Sequence, residues 1–190
     1  MNLRGSQTEK NLLTAFSGES QARNRYTYFA SIAEKEGYRQ IEAIFLETAG
    51  NEKEHAEIFF KYLEGGELEI DASFPAGKIG TTTTNLLAAA EGEKTEWSKI
   101  YFDFEKIARE EGFSEITNSF KEIAEVERYH ERRFRKLLEN VKSGNVFKKQ
   151  KQVKWKCRNC GYVHVGKDAP KICPACRHKR DYYEIWMENY

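Results

Sequence analysis

Two copies of the pattern Glu-x-x-His lie in the middle of apolar stretches, as Glu52 with His55 and Glu127 with His130. In a helix this spacing puts both side chains on one face, where they can reach one ion. A buried carboxylate without a partner is costly, so such groups are paired or bind metal. Carboxylate oxygens together with imidazole nitrogens suit iron or manganese. A single such pattern on a charged helix would instead indicate a solvated surface, but two copies favour a site.

Three further glutamates, Glu19, Glu93 and Glu96, interrupt the two remaining apolar stretches. One glutamate from each of two helices, with Glu-x-x-His from each of the other two, is the ligand pattern of dinuclear sites in four-helix bundles. Glu19 and Glu93 complete that pattern. Glu96 is an additional acid, which is either an alternative metal ligand or a solvent-facing residue beside the site.

The four cysteines form two Cys-x-x-Cys pairs, Cys157 with Cys160 and Cys173 with Cys176. Two such turns can wrap one ion in tetrahedral geometry, and both zinc and iron accept four thiolates. Zinc would make the segment a structural ribbon, and iron would make it a one-electron carrier. The spacing alone favours zinc, whereas the accompanying dinuclear pattern favours iron. Because the polar N-terminus is no signal peptide, clustered cysteines indicate metal binding in the cytoplasm rather than disulfides.

Four helices are predicted to position these residues, because apolar residues recur with helical spacing over 12–33, 41–63, 86–108 and 116–141. Gly37 and Gly112 are typical helix stops, so the helices are expected to form two antiparallel hairpins. The long connection from Gly65 to Gly80 suits a crossover along the outside of a bundle. The first part of the chain is therefore expected to be an all-α four-helix bundle.

The two predicted hairpins repeat one another. Residues 32–38 match 107–113 at an offset of 75, whereas earlier positions match at an offset of 74. One extra residue therefore lies in the third helix between Glu93 and Ile107, and within Lys94 to Tyr101 if Tyr26 pairs with Tyr101. A π-bulge is expected there. Tyr26 and Tyr101 each lie about two turns from a ligand glutamate. They are predicted either to donate hydrogen bonds to the site or simply to pack.

A change in composition divides the 190 residues near position 148, into a bundle (1–147) and a metal-binding tail (148–190). The net charge of +1 hides 20 basic and 26 acidic residues in the first part, against 11 basic and 4 acidic in the second. Neither nucleic acid nor membrane is an expected partner. The opposite signs would help the tail of one subunit to dock on the bundle of another.

The sequence resembles the rubrerythrin family over essentially its whole length. The resemblance is carried by the segment Gly18–Tyr26, by Glu52-x-x-His55, Glu93-x-x-Glu96 and Glu127-x-x-His130, and by the segment Cys157–His164. It implies a ferritin-like four-helix bundle with a non-haem diiron centre, followed by a small rubredoxin-like domain with one iron on four cysteines. Rubredoxins carry glycine after the last cysteine, where this chain has Arg177; this departure affects only the fine geometry or potential of that iron.

The resemblance also implies roles for the ligands. Glu19 and Glu93 would be terminal ligands, and Glu52 and Glu127 would bridge the two irons. His130 would bind one iron, while Glu96 and His55 would exchange on the other with oxidation state. A hard carboxylate suits ferric iron and a neutral imidazole suits ferrous iron.

The activity implied is the reduction of hydrogen peroxide to water, in protection against oxidative stress. The tetracysteine iron would return electrons singly, drawn from a rubredoxin or an NAD(P)H-dependent reductase. Family members usually form dimers in which the tetracysteine iron of one subunit serves the diiron site of another. Two alternatives stay open: a ferroxidase or iron-handling protein with the same ligands, and a zinc-ribbon scaffold without iron.

Overall fold

The computed structural model describes residues 2–189 and shows two helical hairpins followed by a small sheet. The first hairpin consists of α1 (Gln7–Lys35) and α2 (Arg39–Lys61). The second consists of α3 (Thr82–Thr95), a π-helical turn (Glu96–Ile100), α4 (Tyr101–Glu110) and α5 (Ser114–Lys142). Because α3, the π turn and α4 follow one another without a loop, they form one interrupted helix. The predicted four-helix bundle is confirmed.

Glycines end the first helix of each hairpin, as predicted. Gly37 and Gly112 have φ angles of +81° and +82°, in the left-handed region that side chains other than glycine rarely adopt. The next backbone N–H closes each turn: Tyr38 donates to the Ala33 carbonyl and Phe113 to the Ala108 carbonyl, both at 2.8 Å. These short turns make the two helices of each hairpin antiparallel neighbours.

Each hairpin caps the first helix of the other. The Glu111 carboxylate, just beyond α4, accepts the Gln7 and Thr8 backbone N–H groups at 3.0 and 2.8 Å. The Glu36 carboxylate, just beyond α1, accepts the Thr82 backbone N–H at 3.0 Å. Negative charge at a helix N-terminus is favourable because the first N–H groups have no partner inside the helix. These reciprocal caps tie together two hairpins that the sequence shows to be repeats.

The π turn accommodates the extra residue of the third helix. Its last hydrogen bond runs from the Tyr101 N–H to the Glu96 carbonyl, five residues back. The turn lies inside the window Lys94–Tyr101 that the repeat predicted, so the expected π-bulge is confirmed. Residues 62–81, the crossover segment, connect the two hairpins without helix or strand.

Two apolar clusters fill the bundle, one at each side of the glutamate and histidine positions. Tyr26, Phe45 and Phe134 belong to the first cluster. Phe59 and Phe120 belong to the second, together with Tyr101. Along α2 and α5 the predicted ligand residues fall between the two clusters. A single polar layer is therefore enclosed by apolar packing along the bundle axis.

The tail folds as a three-stranded antiparallel sheet with the order β2-β1-β3. Its strands are β1 (Lys148–Cys157), β2 (Val163–Asp168) and β3 (Tyr183–Ile185), and a 3-10 turn (Arg180–Tyr182) precedes β3. Trp155 and Tyr183 are fully buried against Cys157 and Cys173. The last helix ends at Lys142 and β1 begins at Lys148, while the division into independent units, 1–147 and 148–190, stays a prediction.

The tail rests on the turn between α1 and α2. The Tyr38 ring stacks on Phe147 with 6.2 Å between ring centroids. The Arg39 guanidinium lies 5.0 Å from the centroid of the Tyr182 ring. Within residues 2–189, none of the helices combines the length and the apolar character needed to cross a membrane.

Candidate metal centres

Side chains from all four helices of the bundle meet in the polar layer. They form two groups of four, with the ligand atoms of each group within 4.8 Å of one another. The first group is Glu19, Glu52, His55 and Glu127, and the second is Glu52, Glu93, Glu127 and His130. Glu52 and Glu127 belong to both. The arrangement therefore offers two adjacent metal positions with two shared carboxylates.

Each histidine points its Nδ1 atom at the carboxylates. His55 Nδ1 lies 3.0 Å from Glu52 Oε2 and 2.8 Å from Glu127 Oε1. His130 Nδ1 lies 2.7 Å from Glu127 Oε2 and 3.4 Å from Glu52 Oε1. Glu19 and Glu93 stand farther off, each 3.8 Å from one histidine. The two halves of the site repeat one another in residue type and in the distance to the outer glutamate, while His55 lies closer than His130 to the shared glutamate of the other hairpin.

The carboxylates and imidazoles of the polar layer are buried, so their charges are costly unless they have partners. None of the six residues is more than 7% exposed. Despite the short N···O distances, several of these atoms make no contact with hydrogen-bond geometry among the described residues: Glu19 Oε2, Glu93 Oε2, both oxygens of Glu52 and Glu127, and Nδ1 of His55 and His130. Native proteins rarely leave buried polar atoms unpaired, so these atoms point to metal ions as their partners.

Burial and the crowding of carboxylates also shift the pKa values of the glutamates in this layer. Burial, followed by the neighbouring Glu127 and Glu52, raises the pKa of Glu19 well above its ordinary value. Burial, Glu52 and Glu93 raise the pKa of Glu127 likewise. Burial acts on Glu52 too, but the adjacent imidazoles outweigh it and lower its pKa. Because two histidines do not balance four packed carboxylates, a divalent cation at each position supplies the missing charge, and the residues fit a diiron centre.

Glu96 lies beside both groups but belongs to neither. It is the first residue of the π turn and is half-buried. Burial and the nearby Glu93 and Glu52 raise the pKa of Glu96 to about 8, while Arg25 and His55 oppose the rise. The structure thus places His55 in the first group and Glu96 next to it. Their exchange as ligands stays a prediction.

Tyr26 and Tyr101 reach across the bundle to the glutamates. The Tyr26 hydroxyl donates to Glu93 Oε1 at 2.5 Å, and the Tyr101 hydroxyl donates to Glu19 Oε1. Neither bonds to the glutamate two turns away on its own helix. Burial above all raises the pKa of both phenols well above the ordinary value, so both stay protonated donors. The structure therefore gives each tyrosine a polar contact as well as its place in the apolar packing.

The four cysteines converge at the end of β1 and in the loop before the 3-10 turn. Sγ of Cys157 lies 3.8 Å from Sγ of Cys176, and Sγ of Cys160 lies 3.7 Å from Sγ of Cys173. All four sulfurs lie within 4.8 Å of one another. The backbone N–H of His178 lowers the pKa of the Cys176 thiol to about 6. These sulfur atoms fit one tetrahedral metal ion.

The two cysteine turns differ in one residue. In the first turn the Gly161 N–H donates to the Cys157 carbonyl at 2.8 Å, with a φ of +80° at Gly161. In the second the Arg177 N–H donates to the Cys173 carbonyl at 2.9 Å, with a φ of +65°. Arg177 thus adopts the left-handed conformation normally left to glycine.

Comparison with known families agrees with both metal sites. A family model described as rubrerythrin matches residues 10–138, and one described as the rubrerythrin rubredoxin-like domain matches residues 155–184. The chain belongs to the rubrerythrin family. The rubrerythrin of Porphyromonas gingivalis is 58% identical over 189 residues, which cover 100% of this chain and 94% of the relative. That of Nitratidesulfovibrio vulgaris is 55% identical over 189 residues, which cover 100% of this chain and 99% of the relative.

Solved structures related to rubrerythrin agree in fold. Nigerythrin in its fully reduced, all-ferrous state matches with a TM-score of 0.64 at 29% identity, over 96% of this chain and 91% of that one. Symerythrin from Cyanophora paradoxa matches with a TM-score of 0.63 at 27% identity, over 71% of this chain and 85% of that one. The ferritin-like bundle, the rubredoxin-like domain and the iron cofactors are confirmed. As a member of this family, the chain is an oxidoreductase with a diiron centre and one iron on four cysteines.

Sequence reasoning missed Arg25, which lies two turns beyond Gly18 on α1 and shares a cavity wall with Glu96. Among the described residues it has no carboxylate partner within salt-bridge distance. The charge of Arg25 lowers the pKa of Glu96. The spacing of seven residues puts Arg25 on the same face of α1 as Gly18, which the sequence alone indicates. Only the fold shows that this face of α1 lies opposite the π turn.

Proposed function

We propose that this protein is a peroxidase that reduces hydrogen peroxide to two molecules of water with two electrons and two protons. The observation that carries the proposal is the pair of adjacent four-ligand groups sharing Glu52 and Glu127. When bound there, two ferrous ions supply two electrons in one event, which matches the two-electron cleavage of an O–O bond. Apolar clusters on both sides limit the access of water to the layer.

The chain's own groups hold the site in shape and retain protons. Tyr26 and Tyr101 orient Glu93 and Glu19 through hydrogen bonds, and positioned partners of this kind support metal ligands in general. The Glu96 carboxyl, half-buried beside the two metal groups, is a candidate proton donor to the departing oxygen. We further propose that Glu96 and His55 serve as alternative ligands at the first metal position.

Electrons are proposed to enter through the tetracysteine iron of a second subunit. In this chain the tail contacts Arg39, which precedes His55 by 16 residues of helix. At 1.5 Å per residue, the distance along α2 from Arg39 to His55 is about 24 Å, which is far for direct electron transfer. A tail docked on another subunit's bundle shortens this path. The basic tail and the acidic bundle, with net charges of +7 and −6, favour such docking.

Three further assignments accompany this proposal: the assembly, the external electron donor and the compartment. A homodimer or higher homo-oligomer is the proposed assembly. The proposed external donor is a rubredoxin or an NAD(P)H-dependent reductase, and the proposed compartment is the cytoplasm.

The decisive experiment is anoxic stopped-flow mixing of the fully reduced, iron-loaded protein with either hydrogen peroxide or oxygen. We expect peroxide to reoxidise both iron sites much faster than oxygen does. Faster reoxidation by oxygen would instead indicate a ferroxidase. Metal analysis of the same sample should give two irons in the bundle and one in the tail, and one zinc without iron would contradict the proposal.

A further inference from the structure

A cavity of about 410 Å³ lies between α1, the third helix and the crossover segment. Its polar wall includes Arg25, Glu96 and the Tyr101 side chain, and Tyr101 bonds to the ligand Glu19. The apolar part of its lining is Ala15, Phe74, Pro75, Ala88 and Ile100. The cavity therefore lies next to the metal layer, with Glu96 and Tyr101 between its apolar part and the six residues of the metal groups, and the crossover segment covers it.

The size of this cavity exceeds what hydrogen peroxide needs. One water molecule takes up about 30 Å³ of liquid, and hydrogen peroxide has only one oxygen more. A volume of about 410 Å³ lies instead in the range of pockets that hold small organic molecules, roughly 300–1,000 Å³. Apolar walls with a few polar groups at one side are also typical of such pockets.

Two glycines help to keep the chamber open. Gly18 and Gly92 are repeat partners that each precede a ligand glutamate, and both line the cavity. A Cβ atom on Gly92 would meet no atom within 4 Å, and one on Gly18 would lie 3.8 Å from the Phe74 ring. Glycine inside a helix costs about 1 kcal/mol relative to alanine. At these positions the missing side chains leave space next to the site.

We propose that the cavity admits small organic hydroperoxides, R–O–O–H with an alkyl or aryl R group, as further substrates. This inference rests on the proposed peroxidase function and extends its substrate class. The apolar walls contact R, while the hydroperoxide group lies toward Glu96 and Tyr101. The O–O bond breaks, and two electrons from the two ferrous ions with two protons yield R–OH and water. An iron ion held by the four cysteines would return the two electrons one at a time, as proposed for hydrogen peroxide.

The test compares cumene hydroperoxide with hydrogen peroxide as oxidants of the reduced, iron-loaded full chain in anoxic stopped flow. Gly92→Leu fills the cavity, and Gly50→Leu is the matched control, because a Cβ on Gly50 also meets nothing within 4 Å but Gly50 lies on the exposed face of α2. We expect Gly92→Leu to slow reoxidation by cumene hydroperoxide about tenfold or more, equivalent to about 1.4 kcal/mol. The rate with hydrogen peroxide should change far less, and Gly50→Leu should leave the ratio of the two rates as it is.

Binding gives a second readout that does not depend on turnover. The product alcohol, 2-phenyl-2-propanol, is titrated into the oxidised protein and followed by calorimetry. Saturable binding is expected for the wild type and Gly50→Leu, and weakened binding for Gly92→Leu. Ala88→Phe fills the same cavity from its exposed rim and replaces Gly92→Leu if that variant loses iron.

The outcomes separate this inference from the function on which it rests. If hydrogen peroxide oxidises the protein but cumene hydroperoxide does not, the substrate class is wrong and the peroxidase stands. The cavity assignment is also wrong if both filling variants retain the wild-type rate with cumene hydroperoxide or bind the alcohol normally. If neither peroxide oxidises the reduced protein, the proposed function fails as well.

Discussion

The two hairpins of the bundle hold matching ligands but differ by one residue of backbone. In the first, α1 continues without interruption past Glu19, and Ala22 is buried in the apolar core. In the second, Glu96 occupies the position equivalent to Ala22 and the π turn begins there. The cavity lies on this side of the layer. The side chains that fit two metal ions therefore form a matching set, and a single inserted residue makes one side of the site different from the other.

The largest expected effect comes from the glutamates that both metal positions share. Glu52→Ala or Glu127→Ala removes a ligand from both groups, so we expect the bundle to lose both irons while the tail keeps its own. Glu19→Ala and Glu93→Ala each affect one group and should mainly weaken one iron. Iron analysis of the purified variants measures this, with the exposed Glu54→Ala on the same helix as Glu52 as control. Equal iron loss in all four ligand variants would contradict the sharing.

The next largest effect is expected from Glu96, which has no acidic counterpart in the first hairpin. We expect Glu96→Ala to lower the rate of reoxidation by hydrogen peroxide roughly 100-fold, because it removes a candidate proton donor and alternative ligand. His55→Ala should lower it as well and also reduce iron content, since His55 belongs to a metal group. Stopped-flow rates at matched iron occupancy provide the measurement. Wild-type rates in both variants would show the proposed mechanism to be wrong.

Removal of the metals should make stability depend on pH. The raised pKa values of Glu19, Glu127 and Glu96, the last at about 8, mean that the folded apoprotein binds more protons than the unfolded chain above pH 4.5. Its free energy of unfolding should therefore fall as pH rises toward about 8. Urea unfolding of metal-stripped and metal-loaded protein at several pH values measures this. A stripped protein that gains stability over the same interval would contradict the expectation.

Tyr26 and Tyr101 make equivalent hydrogen bonds from the two hairpins, so their replacement tests whether the match between the hairpins extends beyond the glutamates and histidines. Tyr26→Phe and Tyr101→Phe each leave one buried carboxylate oxygen without its phenol donor. Each should cost about 1–3 kcal/mol in the free energy of unfolding, and the two costs should be similar. Urea unfolding of the iron-loaded variants measures both. A large cost for one and none for the other would confine the symmetry to the metal ligands.

The smallest effect on stability is expected in the tail. Its two cysteine turns, like the two hairpins, match except at one residue. Arg177 adopts the left-handed conformation that Gly161 adopts at the equivalent place. Arg177→Gly should relieve strain of about 1 kcal/mol and raise the stability of the iron-bound tail. The rate of thermal bleaching of its visible absorption reports this change. An unchanged rate would mean that the turn holds arginine without strain.

Periodicity and the repeat predicted much of this structure. The helix stops at Gly37 and Gly112 and the window for the π turn followed from local residue patterns, and the structure confirms them. The partners of Tyr26 and Tyr101 did not follow, because they lie on the opposite hairpin and depend on how the hairpins pack. The cavity beside Glu96 depends on where the crossover segment runs, and a segment without periodicity carries no signal for its path.

The reciprocal caps have a topological consequence. Glu36 and Glu111 each hold the first helix of the other hairpin, and Tyr26 and Tyr101 reach across in the same reciprocal way. A hairpin supplied by a second copy of the chain would satisfy all of these contacts equally well. Domain exchange therefore changes only the path of the crossover segment, at little cost in bonding. In such an exchange, the crossover segment would be the one connection that differs between a bundle closed within one chain and a pair of chains that exchange hairpins.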